Sequence, residues 1–213
     1  MKVVERRRSI YLAIYDPRTL VKIKTFLEEL GLKPKGIEFN ARKIVGIVLC
    51  DDRGLEYLKN MGIEIEGYAI DVDNEPRCAA LRALALSLNV DPDDGVAIVG
   101  VDLGERIGVA VILNGKLVVA KSFRNAELAL ELLSLVARCY GCKKIVRIGI
   151  PRKEDPSYEK FIDRVVALLS DSIELELVPE VGTSTMGTLI EVPEKLDRDS
   201  LAAINIALAR SRG

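Results

Sequence analysis

Ala97-Ile-Val-Gly-Val-Asp102-Leu-Gly104-Glu-Arg-Ile-Gly108-Val-Ala-Val-Ile-Leu-Asn-Gly115-Lys-Leu-Val-Val is the stretch that decides the fold of this chain. Val96 to Val101 is an apolar run of strand length, and Gly108 to Leu113 is a second. Asn114-Gly115 is a strong two-residue hairpin signal, and Lys116 to Ser122 supplies a third strand. The three strands fold back on one another, with one aspartate at the end of the first. A carboxylate placed where a buried central strand meets a glycine turn lies at the rim of a sheet, where a site can form. Asp102 is therefore the residue to explain.

Downstream of this meander, Asn125 is placed to cap a helix whose inner stripe is Leu128, Leu132, Leu135 and Val136. Lys144 to Ile150 reads as the next strand and ends in Gly149-Ile150-Pro151. A helix from Pro156 to Leu169 follows, burying Phe161, Val165 and Leu168, and Ile173 to Val178 is the last strand. A closing helix is expected from Asp197 to Arg210. The order is βββαβαβα. Upstream, Asp91-Pro92-Asp93-Asp94-Gly95 is polar and turn-rich and makes the best boundary, so residues 1–94 and 95–213 are expected as separate domains. The first reads as βα alternation. Strands at Ser9 to Tyr15, Ile44 to Cys50 and Ile63 to Ile70 are each followed by a helix, the first and third opened by Pro17 and Pro76. The fold class is α/β, with a smaller α/β domain preceding a mixed-sheet domain. Asp16, Asp51, Asp52, Asp71 and Asp73 lie near strand ends, where such folds bind ligands and where aspartate also caps helices and makes turns. Capping is the reading favoured for them.

Composition narrows the function classes. The chain is 213 residues long, 49% hydrophobic and 30% charged, with a net charge of −1. From Val96 onward it carries 16 basic and 16 acidic residues, and 15 and 16 before that, so neither half is a basic module. Short clusters such as Arg6-Arg7-Arg8, Lys143-Lys144 and Arg152-Lys153 fit solvated surface. No apolar run is long enough to cross a bilayer, and the N-terminus lacks the apolar core of a signal peptide. A cytoplasmic protein with no membrane partner is expected, and the absence of His and Trp beside abundant Val, Ile, Glu, Lys and Arg points to a thermophile. Cys139-Tyr-Gly-Cys142 lacks the second pair that zinc needs, so buried thiols or a local disulfide are expected there.

Four segments in this order carry a resemblance: Val99-Gly-Val-Asp102-Leu-Gly104 with Ile107-Gly108-Val-Ala-Val, Ile148-Gly-Ile-Pro151, Glu180-Val-Gly-Thr183-Ser184, and Asp199-Ser-Leu-Ala-Ala203. Together they resemble the ribonuclease H-like fold, and within it the RuvC and YqgF branch of Holliday-junction-resolvase-like proteins, over the C-terminal half only. The resemblance implies a nuclease whose carboxylates hold Mg²⁺ or Mn²⁺, with Asp102, Glu180 and Asp199 as ligands and catalytic residues and Asp197 as a fourth ligand. Mg²⁺ keeps several waters and needs few acidic ligands, so carboxylates from distant segments suffice. Gly104, Thr183, Ser184, Arg152 and Lys153 are the candidate substrate-binding residues. The implied partner is nucleic acid, a DNA junction or RNA, and the resolvase analogy implies a homodimer.

Two departures count against catalysis. The resolvases place an acid or His three residues before the helix aspartate, and here that position is Leu196. The arginine expected after Glu180 is Val181. An inactive ribonuclease H-like module that scaffolds protein or RNA is therefore the alternative. A nucleotide binder of the actin-like kind is a third reading, since a glycine hairpin of this sort also holds phosphates, but that fold needs two such domains and the N-terminal half has no comparable meander.

Overall fold

In a computed structural model of the chain, the described residues are 7–38, 40–150, 156–169, 171–179, 190, 192 and 195–209. Across these residues the chain is α/β, with a sheet of three parallel strands and a mixed sheet of five. It divides into two compact units, Met1–Pro92 and Asp93–Gly213.

The second unit is organised by its hairpins. β4 (Val96–Leu103), β5 (Ile107–Leu113) and β6 (Lys116–Phe123) pair antiparallel in succession. Asn114 and Gly115 turn between β5 and β6 with φ of +48° and +78°, as a two-residue turn matched to strand twist requires. The Asn114 side chain also ties the turn to the start of β4. Its Oδ1 accepts from the Val96 N–H at 2.9 Å, and its Nδ2 donates to the Asp94 carbonyl at 2.9 Å. β7 (Lys143–Ile150) joins the far side of β4 in parallel, and β8 (Glu174–Pro179) joins β7 in parallel. The strand order is β6-β5-β4-β7-β8, with β4 at the centre.

Two faces follow from the period of two along each strand. Ala97, Val99 and Val101 of β4 and Val109 and Val111 of β5 are fully or almost fully buried on one face. Helix α4 (Ala126–Cys139) packs against β5 and β6 and in turn meets α5 (Pro156–Leu169). Helix α6 (Arg198–Leu208) lies on the opposite face and touches β4, β5, β6 and β7. Its approach is close because β4 and β5 present glycine there. A Cβ on Gly100 would stand 2.0 Å from the Ala203 carbonyl oxygen, and one on Gly108 would stand 2.1 Å from that of Asp199. Arg147 fixes the other end of α6: its Nε donates to Glu176 on β8 and its Nη1 to the Ala207 carbonyl, both at 2.7 Å. A guanidinium on the last carbonyls of a helix satisfies acceptors the helix leaves open and suits the negative end of its dipole.

Two details differ from the sequence reading. Leu128, in the first turn of α4, is half exposed, and the buried stripe runs through Ala129, Leu132, Leu133 and Val136. In α5 the buried arc is Phe161, Val165 and Leu169, at intervals of four, and Leu168 falls at its rim with 59% of its surface exposed. Of the two outcomes expected at Cys139-Tyr-Gly-Cys142, the structure has Cys142 as a buried free thiol and no local disulfide to it.

The first unit is a parallel sheet ordered β1 (Ile10–Ala13), β2 (Lys43–Cys50), β3 (Glu64–Asp71). Ile47 and Leu49 of β2 bury against α1 (Pro17–Glu29) and α3 (Pro76–Ser87), while Ile44, Val48 and Cys50 face Leu58 of α2 (Asp52–Asn60) on the other side. The Cys50 thiol is buried, and that desolvation, reinforced by Asp71 and Asp51, pushes its pKa up to about 11. No helix among the described residues is long and apolar enough to cross a membrane.

Candidate active site at the head of the central strand

The site is built on one rung of the second sheet. Asp102 on β4 lies opposite Gly108 on β5, and Gly108 lies opposite Ser122 on β6. Residues directly opposite in antiparallel strands share a face. Gly100, two residues before Asp102, is the glycine on which α6 sits, so Asp102 belongs to the α6 face. The start of α6 straddles this rung. Asp197 reaches Ser122 at one end, and the Asp199 backbone rests on Gly108 in the middle, one strand from Asp102. Asp102 and Asp199 are both partly exposed.

Asp197 is the N-cap of α6. Its Oδ1 accepts from the Ser200 N–H at 2.8 Å, and its Oδ2 accepts from the Ser122 hydroxyl at 3.0 Å. Partial burial works to raise its pKa, but hydrogen bonds from Ser200 and Ser122, with the nearby Arg106 charge, hold it below the usual carboxylate value. Both oxygens of Asp197 thus serve the helix cap and the strand. Asp197→Ala is expected to cost about 1 kcal/mol of stability, seen as a melting temperature lower by a few degrees. Asp197→Asn, which can still cap, should melt close to the wild type. Equal melting of both variants with the wild type would remove the capping role.

Sequence reasoning did not find Arg106. It stands in the β4–β5 turn with its side chain 43% exposed, its Nε 3.9 Å from Asp199 Oδ2 and its Nη2 donating to the Ser122 carbonyl at 3.4 Å. Nothing local to Gly104-Glu105-Arg106 signals a partner on the last helix. Gly104 is exposed in the same turn, and a Cβ there would meet only the Arg106 carbonyl oxygen at 3.5 Å. Glu180, Thr183, Ser184, Arg152 and Lys153 lie outside the described residues.

The donor set can be tested against a divalent cation. Asp102, Asp197 and Asp199 do not bring three ligand atoms within 4.8 Å of one another. Asp102 on β4 and Asp199, whose backbone rests on Gly108 of β5, are carboxylate residues at neighbouring positions, and Mg²⁺ is ordinarily held by one or two carboxylates, retained water and substrate phosphate. Carboxylate oxygen is the donor chemistry Mg²⁺ or Mn²⁺ accepts, but these residues do not gather as a ligand cluster by themselves.

The aspartates of the first unit gather at the carboxyl ends of its strands. A cleft of about 420 Å³ there is lined by Asp16, Asp51, Asp52 and Asp73 with Tyr15 and Arg53. Each of these carboxylates that has a described hydrogen bond accepts from backbone N–H groups, Asp16 also from the Thr19 side chain. Asp16 caps α1 through the Thr19 N–H, Asp51 caps α2 through Gly54 and also accepts from the Tyr15 and Asp16 N–H groups, and Asp73 accepts from Asp52. These are turn and cap duties. Compared with protein-family models and with curated proteins, the chain matches none.

Proposed function

We propose that the second unit is a ribonuclease H-like domain and that the protein is a metal-dependent nuclease of resolvase-like type, acting on structured nucleic acid in the cytoplasm. The observation that carries this reading is the shared face of Asp102 and Asp199, brought to neighbouring positions by the glycine opposite Asp102. The strand order β6-β5-β4-β7-β8, with three antiparallel strands followed by two parallel ones, supports the fold assignment.

In this reading Asp102 and Asp199 hold Mg²⁺ or Mn²⁺, with Glu180 as the third ligand carried over from the resemblance. The bound cation would supply a polarised water and neutralise charge on the scissile phosphate. The protein's own part is geometric. β4 fixes Asp102 at the centre of the sheet, and the cap at Asp197 and the contact from Arg147 hold the two ends of α6, whose Asp199 backbone rests on Gly108 opposite Asp102. Gly104 leaves the turn beside Asp102 open to a phosphate backbone, and Arg152, Lys153, Thr183 and Ser184 are the proposed contacts along it. A homodimer would place two such sites for symmetric cutting of a junction.

The second reading, an inactive scaffold, is favoured by the duty of Asp197 as a cap and by Leu196 in the position where the resolvases carry an acid or His. The experiment that separates them is a cleavage assay on four-way DNA junctions, flapped DNA and folded RNA, with Mg²⁺ or Mn²⁺ and with chelator. The nuclease reading expects cleavage of at least one substrate with either metal and none with chelator. Intact substrates under every condition would leave the scaffold.

A further inference from the structure

We infer that Arg106 is the resident counter-ion of the carboxylate site, and that it exchanges Asp199 for a substrate phosphate oxygen when a divalent cation takes its place. This rests on the metal-binding reading of Asp102 and Asp199 given above. Three observations support it. The guanidinium lies beside Asp199, with Nε 3.9 Å from Oδ2, and its charge also reaches Asp197. Its one direct hydrogen bond among those described runs to the Ser122 carbonyl, on the rung that carries Asp102 and Gly108. The side chain is 43% exposed and belongs to a turn, so it can swing without disturbing the core.

The electrostatics favour such an exchange. A cation at the first turn of a helix opposes the positive end of the dipole, so Arg106 is held there by the aspartates and not by α6 itself. An exposed pair at this distance is weak and easily replaced. A doubly charged ion on Asp199 would remove the attraction and repel the guanidinium. A phosphate drawn to that ion would then offer Arg106 a fork-shaped partner it binds well. The same residue thus covers the acid without metal and grips the backbone with it.

The test compares wild type, Arg106→Gln and Arg106→Lys as full chains, each first shown to melt cooperatively. Mn²⁺ alone is titrated by calorimetry, and a fluorescent four-way DNA junction is titrated by anisotropy in Ca²⁺ at several salt concentrations. Arg106→Gln should bind Mn²⁺ about 3- to 10-fold more tightly, because its competitor is gone. It should bind the junction more weakly, with a salt slope smaller by about 1. Arg106→Lys, which keeps the charge, should bind Mn²⁺ as the wild type does. Mn²⁺ binding that is equal or weaker in Arg106→Gln would overturn the exchange while leaving the metal reading intact. An unchanged salt slope would overturn the phosphate contact. Absence of Mn²⁺ binding in all three proteins would overturn the metal reading and this inference together.

Discussion

Asp102→Asn is expected to abolish metal-dependent cleavage by at least about 1,000-fold, about 4 kcal/mol of transition-state stabilisation, without disturbing the fold. Asn has nearly the size of Asp, so the β4–β5 pairing through Asp102 and Gly108 has no reason to change. What the substitution removes is the negative charge. A neutral amide oxygen is a poor ligand for a hard dication, and in the proposed nuclease the cation's charge is what would act at the phosphate. Asp199→Asn should give a loss of the same order. Asp197→Asn should be nearly silent, because the cap survives in an amide. The pattern of two large losses and one small one is the signature of this site, and a scattered or uniform response would contradict it.

The second large effect is on stability. Gly100→Ala and Gly108→Ala are each expected to destabilise the second unit by about 3 kcal/mol or more, lowering its melting temperature by roughly 10 °C. The reason lies in what the new methyl group would meet. At Gly100 it would stand 2.0 Å from the Ala203 carbonyl oxygen and 2.6 Å from the Ala207 nitrogen, and at Gly108 2.1 Å from the Asp199 carbonyl oxygen. These are backbone atoms, so no side chain can swing aside and the helix itself must move. Gly104→Ala is the control. A Cβ there would meet only the Arg106 carbonyl oxygen at 3.5 Å, and its melting should scarcely shift. Gly108→Ala carries a further consequence, because lifting α6 from β5 withdraws Asp199 from the rung of Asp102. It should therefore weaken Mn²⁺ binding even at temperatures where the unit stays folded. Melting of both variants within a degree or two of the wild type would mean that α6 does not lie on β4 and β5 as described.

Much of this arrangement was legible in the residues themselves. The β4–β6 meander is written in the apolar runs and the Asn114-Gly115 turn, whose demands are local and need no partner to read. Asp197 as the start of α6 was equally legible, since a cap is satisfied by the residues just after it. The rest depends on distance. Leu128 shares the helical phase of buried Leu132 and yet is exposed, and Leu168 falls at the rim of the arc made by Phe161, Val165 and Leu169, so spacing alone did not settle the burial of either. The closeness of α6 to the sheet was hidden for a related reason. Gly100 and Gly108 read as ordinary strand and turn glycines until the helix that needs their missing side chains is in place. Arg106 was illegible altogether, as its partner Asp199 comes from the last helix and no pattern in either segment names the other.

The central claim is that Asp102 and Asp199 jointly hold a divalent cation. Calorimetric titration of Mn²⁺ into wild-type protein and into Asp102→Asn and Asp199→Asn tests it most directly, with melting curves to show that all three are folded. The account predicts saturable binding in the wild type that weakens by at least about 10-fold in each variant. Binding of equal strength in all three folded proteins, or none in the wild type alone or with junction DNA present, would contradict it.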